Sequence, residues 1–315
     1  MASTKTLTKK SALTRERGRS GILFGAPALI FVTLFLGVPI LQALYYSMTK
    51  WNGLSATWIG PSTFVNEFKN PIFWRVMQNN ALLLLAVPVA ILIPLGIAYL
   101  LNERVAGWKF FRSVYFLPTA ISWVVIGMVA IRVFAQEGVL NQLLRAIGLG
   151  FIKTDLLSSE HGALLAVAIT FIYSMVGTNT MIFLTGMANL DISLNEAARI
   201  DGAGNVRIFS SITLPQLKRF IQFSFVITVI SAFTALFSLI FVMTGGGPVF
   251  GTTTLEFFVY QSAFAKGDFG AGAMLGFILF VIMAGLGAAQ LALTRSKEGA
   301  PSVKCSPSSP WVSWQ

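Results

Sequence analysis

Acidic residues, histidine and cysteine are scarce in this chain. Its 315 residues hold 12 Asp and Glu, a single histidine, His161, and a single cysteine, Cys305. One cysteine cannot close an intrachain disulfide, so any loop outside the core is held without one. One histidine excludes a His-rich metal site, and no metal ligand set is expected. A phosphate-cradling G-x-x-x-x-G-K-[ST] loop is also missing, so the chain is not expected to hydrolyse ATP itself. Charged residues make up only 11% of the sequence, against about 25% in a soluble domain.

What fills the space is apolar, at 55% of residues. A membrane helix needs about 20 mostly apolar residues. Six stretches qualify, at 22–48, 78–101, 113–134, 163–187, 220–243 and 271–293. An all-α polytopic membrane protein with six transmembrane helices is therefore expected. Pro88 and Pro94 are expected to kink the second helix and Pro118 the third, which neighbouring helices tolerate. The first stretch follows Arg15, Arg17 and Arg19 but is too long for a signal core of about 7–15 residues, and reads as a retained span.

The net charge of +11 has a plain source in membrane topology and implies no nucleic acid. Of the 23 Lys and Arg, 16 fall on the two termini, the 2–3 loop and the 4–5 loop, leaving 7 for the other side. The positive-inside rule places both termini and the 4–5 loop in the cytoplasm. The layout expected is a basic cytoplasmic tail over 1–20, a six-helix transmembrane domain over 21–294 and a cytoplasmic tail over 295–315. The last, rich in Pro and Ser, reads as disordered.

The 4–5 loop is the most polar stretch between spans. Ser193 and Glu196 have the spacing of a capping box. Ala197 and Ala198 favour helix. Asp201 and Gly202 read as its end, with Gly202 left-handed. Asn205 can cap a second short helix, which Pro215 is expected to block. A first helix of about two turns is marginal alone and must be held by something. Packing on its own bundle and docking on a cytoplasmic partner both satisfy that requirement.

Polar and aromatic residues inside the spans are candidates for a solute path. In span four, Phe171, Met175, Thr178 and Asn179 share one face at i, i+4, i+7 and i+8, with Tyr173 and Ser174 nearby. In span five, Ser231, Phe233, Thr234 and Phe237 stand close together. Amides, hydroxyls and rings suit a sugar. The competing reading is close helix packing.

The segment "EAARIDGAGNVRIFSSITLP", residues 196–215, resembles the EAA loop of permease subunits in binding-protein-dependent ABC importers. Glu196, Ala197, Ala198, Asp201, Gly202, Ala203, Phe209, Ile212, Leu214 and Pro215 fall on that pattern. Three further segments resemble the sugar-permease branch of the maltose and glycerol-phosphate importer type: "MTGGGPVFGTTTLEFFVYQSAF" (243–264), "FVNEFKNPIFW" (64–74) and "FFRSVYFLPTAIS" (110–122). The resemblance covers about residues 20–294.

The resemblance implies an inner-membrane permease forming half of a sugar path, most simply for an oligosaccharide. It also implies that Glu196, Ala197, Ala198, Asp201 and Gly202 couple to an ATPase. The implied partners are a second permease in a heterodimer, separate ABC ATPase subunits, an extracytoplasmic sugar-binding protein and membrane lipid. No cofactor is implied. Glycerol phosphate or another small polar solute is the alternative cargo. An ion-coupled secondary transporter would place acidic residues or histidine inside its spans, and an intramembrane enzyme would need a catalytic constellation. The span cores offer neither.

Overall fold

The computed structural model describes residues 24–103, 106–149 and 155–295. The expected basic tail at 1–20, the Pro/Ser-rich tail and Cys305 lie outside the described residues. Six helices are long and apolar enough to cross a membrane: Phe24–Tyr46, Pro71–Asn102, Trp123–Ala146, Glu160–Ala188, Lys218–Met243 and Phe269–Gln290. They are called spans one to six below. The all-α, six-span expectation holds.

Span two starts earlier than its apolar run. Asn70 caps it, its side chain accepting from the Ile72 N–H at 3.0 Å, and Pro71 follows where a missing N–H costs nothing. The helix loosens at Leu85, whose N–H turns back to the Leu82 carbonyl. The cause lies three residues on, since Pro88 has no N–H for the Leu84 carbonyl. Pro94, by contrast, sits inside continuous helix.

The third expected span needs correction. Residues 113–134 are not one helix kinked at Pro118. Trp108–Ala120 is a separate helix that keeps Pro118 inside it. Ile121 and Ser122 are extended, and a new helix runs over Trp123–Phe134. A short helix, Val139–Ala146, completes span three. The Trp108–Ala120 helix packs against span four at Gly177. A Cβ there would stand 2.7 Å from the Tyr115 carbonyl oxygen, so only glycine allows this approach.

Two prolines are absorbed by wide turns. Residues Thr33–Gly37 and Phe209–Thr213 are π-helical, and each run ends just before a proline, Pro39 or Pro215. Val38 N–H reaches back to the Thr33 carbonyl, and Leu214 N–H to that of Phe209. The i→i+5 bond carries the helix past the proline that cannot donate. Pro215 therefore does not block the chain, contrary to what its missing N–H leads one to expect. Helical structure continues through Leu214–Gln216 into span five.

The buried core lies where spans two, four and five meet, with Val87, Ala90, Phe171, Phe183 and Leu236 at its centre. Span one buries none of the residues in its apolar window and packs along span six. Its Phe31, Leu34 and Phe35 face outward, as lipid-facing side chains do. After it, β1 (Thr49–Trp51) pairs antiparallel with β2 (Ala56–Trp58), Thr49 opposite Trp58. This hairpin rests on the start of span six.

Candidate functional site

The loop between spans four and five holds two short helices. The first runs over Ile192–Ile200. Its cap is Asp191, whose side chain accepts from the Ser193 N–H at 3.0 Å. Hydrogen bonds from Ser193, side chain and backbone, hold the Asp191 carboxyl below its usual range. The expected Ser193–Glu196 capping box is thus overturned. A charged acceptor two residues earlier takes the cap position, and Ser193 and Glu196 both lie inside the helix.

The helix stops as expected. Gly202 has φ +80°, Ala203 N–H bonds the Ala198 carbonyl at 2.9 Å, and Gly202 N–H bonds that of Arg199 at 3.1 Å. This is a Schellman motif. The second helix begins at Asn205, with Gly204 in the capping place, so Asn205 is its first residue and not its cap. Glu196, Ala197, Asp201 and Gly202 are exposed and Ala198 is half-buried. Leu194, Ile200 and Val206 are apolar yet 49%, 87% and 82% exposed.

Two residues from the end of span two reach this loop. Glu103 Oε2 accepts from Arg199 Nη2 at 2.7 Å, and the Tyr99 hydroxyl donates to the Asn205 carbonyl at 3.2 Å. The Tyr99 ring lies 4.7 Å from that of Phe209, centroid to centroid. Between span two and the loop is a cavity of about 400 Å³, lined by Asn102, Glu103, Asn195, Glu196 and Arg199 among others.

The span-four candidates face the core. Phe171, Met175 and Asn179 are buried, Thr178 half-buried; in span five Phe233 is buried, Ser231 half-buried and Thr234 exposed. Tyr173, on another face of span four, is exposed and borders an apolar cavity of about 370 Å³ with Val125 and Ile126.

Asn179 is fully occupied by protein partners. Its Nδ2 donates to the Ala90 carbonyl at 2.7 Å and to Thr228 Oγ1 at 3.1 Å, and its Oδ1 accepts from Ser224 Oγ at 2.9 Å. The Ala90 carbonyl is the one that Pro94, four residues on, leaves without a helix donor. Asn179 of span four therefore supplies the bond that a proline in span two removes, and Ser224 and Thr228 bring in span five.

Several residues with structural or functional weight were not singled out in the sequence. Asn79 ties span two to the turn before span six, donating to the Phe250 and Thr253 carbonyls at 2.8 and 3.0 Å. Arg75 pairs with Glu160 across 85 positions. Glu256, between spans five and six, has both carboxylate oxygens buried without a hydrogen-bond partner among the described residues. Tyr99 and Glu103 are polar residues at the end of an apolar run, and that position is the only local signal they give. In the turn itself, Gly245 and Gly246 have φ of +58° and +85°, a region that glycine enters without steric cost.

Curated relatives share most of this architecture's length. The probable ABC transporter permease protein YurN of Bacillus subtilis is 34% identical over 275 residues, 85% of this chain and 94% of that protein. The sulfoquinovosyl glycerol transport system permease protein SmoG of Agrobacterium fabrum is 32% identical, over 88% of this chain and 91% of its own. The multiple sugar-binding transport system permease protein MsmF of Streptococcus mutans is 30% identical over 86% and 93%. Among solved structures, the bacterial alginate ABC transporter in complex with its alginate pentasaccharide-bound periplasmic protein has a similar chain. Its TM-score is 0.77 at 20% identity, covering 91% of this chain and 98% of that one. The family model for the inner membrane component of binding-protein-dependent transport systems matches residues 63–298. With its six spans and the paired short helices between the fourth and fifth, the chain belongs to that family of inner membrane transport components.

Proposed function

We propose that this chain is the permease subunit of an ABC importer for a sugar, forming half of the translocation path. One observation carries the coupling part of this reading. The Ile192–Ile200 helix presents Leu194, Glu196 and Ile200 outward, and all three are exposed among the described residues. An apolar side chain 87% exposed on a nine-residue helix fits a groove on a partner. That partner is a separate ATPase, because the sequence has no phosphate-cradling loop of its own. Glu196, Ala197, Ala198, Asp201 and Gly202 make the contact.

Sugar as cargo is supported by the relatives. SmoG is named for sulfoquinovosyl glycerol transport and MsmF for multiple sugars. A second, related permease completes the path, and an extracytoplasmic binding protein delivers the sugar. Thr178, Ser231 and Thr234 are exposed or half-buried residues near the span centres, available to this path. Phe171, Met175 and Phe233 back them.

Reconstitution tests the whole. This chain alone in liposomes is expected to show neither ATPase activity nor sugar uptake. Sugar-stimulated hydrolysis appears only when a second permease, the ATPase and the binding protein are added. Uptake by the chain alone would put it among secondary transporters, and stimulation by glycerol phosphate alone in a solute panel would replace the sugar.

The orientation follows from the 16-to-7 split of Lys and Arg, with both termini in the cytoplasm. In a Cys305→Ser background, single cysteines at Asn52 and Thr253 are the outer-side probes, and those at Ser11 and Asn205 the inner-side ones. Thr253 is buried, so its labelling is read after detergent opening as well. An impermeant thiol reagent is expected to label Asn52→Cys on intact cells and to leave Asn205→Cys untouched. External labelling at 205 would reverse the topology.

A further inference from the structure

The Ile192–Ile200 helix is held weakly by its own segment. Helices shorter than about 12–15 residues are marginal in water without outside support, and this one has nine residues. Its joint to the next helix is open as well. A Cβ on Gly202 or on Gly204 would meet nothing within 4 Å. Beyond the Schellman hydrogen bonds, no side chain packs into the joint to hold the two short helices together.

The support comes from span two. Tyr99 and Glu103 stand at i and i+4, one turn apart on one face of its last turn. Glu103 takes Arg199 at 2.7 Å, in the last turn of the first short helix. Tyr99 donates to the Asn205 carbonyl at 3.2 Å, and its ring lies 4.7 Å from that of Phe209, at the start of the second. The two contacts therefore fall on opposite sides of the Gly202 joint. Each reaches about a hundred positions along the chain, 96 for the first and 106 for the second.

We infer that Tyr99 and Glu103 clamp the two arms of the loop so that the end of span two moves with it as one body. The loop is already joined covalently to spans four and five. The clamp adds span two as a third route by which movement of the ATPase reaches the membrane. Span two in turn packs along span four and is bonded to it through Asn179 and Ala90. The inference rests on the reading that the loop meets the ATPase. Tyr99 and Glu103 are positioning residues here, acting through Arg199, Asn205 and Phe209.

Charge exchange tests it in the full transporter. Arg199→Glu and Glu103→Arg each place like charges at the contact. Each is expected to lower sugar uptake per ATP hydrolysed by about fivefold, the upper end for a solvent-exposed ion pair. The double variant restores the pair in reverse and is expected to recover most of that ratio. Singles with an unchanged ratio, or a double variant that recovers nothing, would overturn the clamp. Co-purification of the ATPase separates this from failure of the underlying reading. The clamp variants keep the ATPase bound, whereas loss of its contact with the loop is read at Glu196. A second measurement guards against misfolding. With Cys305→Ser, Glu103→Cys and Arg199→Cys, the unjoined pair lacks the ion pair, and joining the two cysteines with a bismaleimide spacer is expected to raise uptake per ATP hydrolysed above that of the unjoined pair. Loss of uptake on joining would show that span two and the loop must separate.

Discussion

Replacing Asn179 by Asp is expected to remove most of the permease from the membrane. The side chain is wholly buried, and both its N–H donors are engaged, one of them at 2.7 Å from the Ala90 carbonyl. Aspartate keeps the shape but turns those donors into a carboxylate oxygen facing the Ala90 carbonyl, which can only accept. An unpaired charge in such a place costs several kcal/mol. The more instructive variant is Asn179→Leu, which removes the polar group without adding charge. It strands the Ala90 carbonyl, Ser224 and Thr228, at a cost of about 1–2 kcal/mol. The cost depends on Pro94. In a Pro94→Ala background the helix can satisfy Ala90 by itself, so Asn179→Leu is expected to cost less than half as much. Thermal unfolding of the four proteins in detergent closes the cycle. Equal costs in both backgrounds would show that Asn179 does not serve the proline. A raised sugar KM in Asn179→Leu at normal thermal stability would return Asn179 to the solute path.

This residue also shows where sequence stops informing. Apolar runs and capping residues are local, and from them six spans, the Gly202 stop and the glycine turn at 245–246 can be read. The polar face of span four can be read too, through its i, i+4, i+7 and i+8 spacing. What that face meets is another matter. The carbonyl that Asn179 caps is 89 positions away, and a stranded carbonyl at Ala90 is visible in sequence only as a proline at 94. The same holds for Arg75 with Glu160 and Glu103 with Arg199. Each residue is an ordinary polar end of a helix until the helices are side by side.

Other departures have local causes that propensity alone does not rank. Ser193 and Asp191 both can cap a helix, and two competing caps differ by only a few tenths of a kcal/mol. The carboxylate accepts from the Ser193 N–H, and that bond places Ser193 inside the helix it was expected to start. Pro215 looks like a barrier in the sequence and is not one, because the π turn that absorbs a proline, there and at Pro39, has no sequence signature of its own. Ile121 and Ser122 break the third apolar run although both residues are common in helices. Tight packing of the Trp108–Ala120 helix on Gly177 holds the break where it is.

Glu196→Lys is expected to abolish most transport while leaving the permease folded. Because Asp191 is the cap, Glu196 owes the helix nothing at its start. It is exposed, and surface substitutions of this kind change stability by about 0.5 kcal/mol at most. Normal membrane levels with weakened ATPase association would therefore report a lost contact. Glu196→Gln removes charge alone and is expected to fall between wild type and Lys, since like-charge juxtaposition adds to a lost attraction. Gly202 probes the same contact through the backbone. Its φ of +80° is open to glycine, tolerable for asparagine and strained by about 1–3 kcal/mol for a β-branched residue. No neighbour stands within 4 Å of a Cβ there, so conformation alone sets the order. Association with the ATPase is expected to weaken from glycine through asparagine and alanine to valine, in step with the cost of the left-handed turn. Unchanged association and uptake in Glu196→Lys would mean that this face of the helix meets no ATPase, and a flat Gly202 series would separately show that the angle between the two short helices is immaterial to transport.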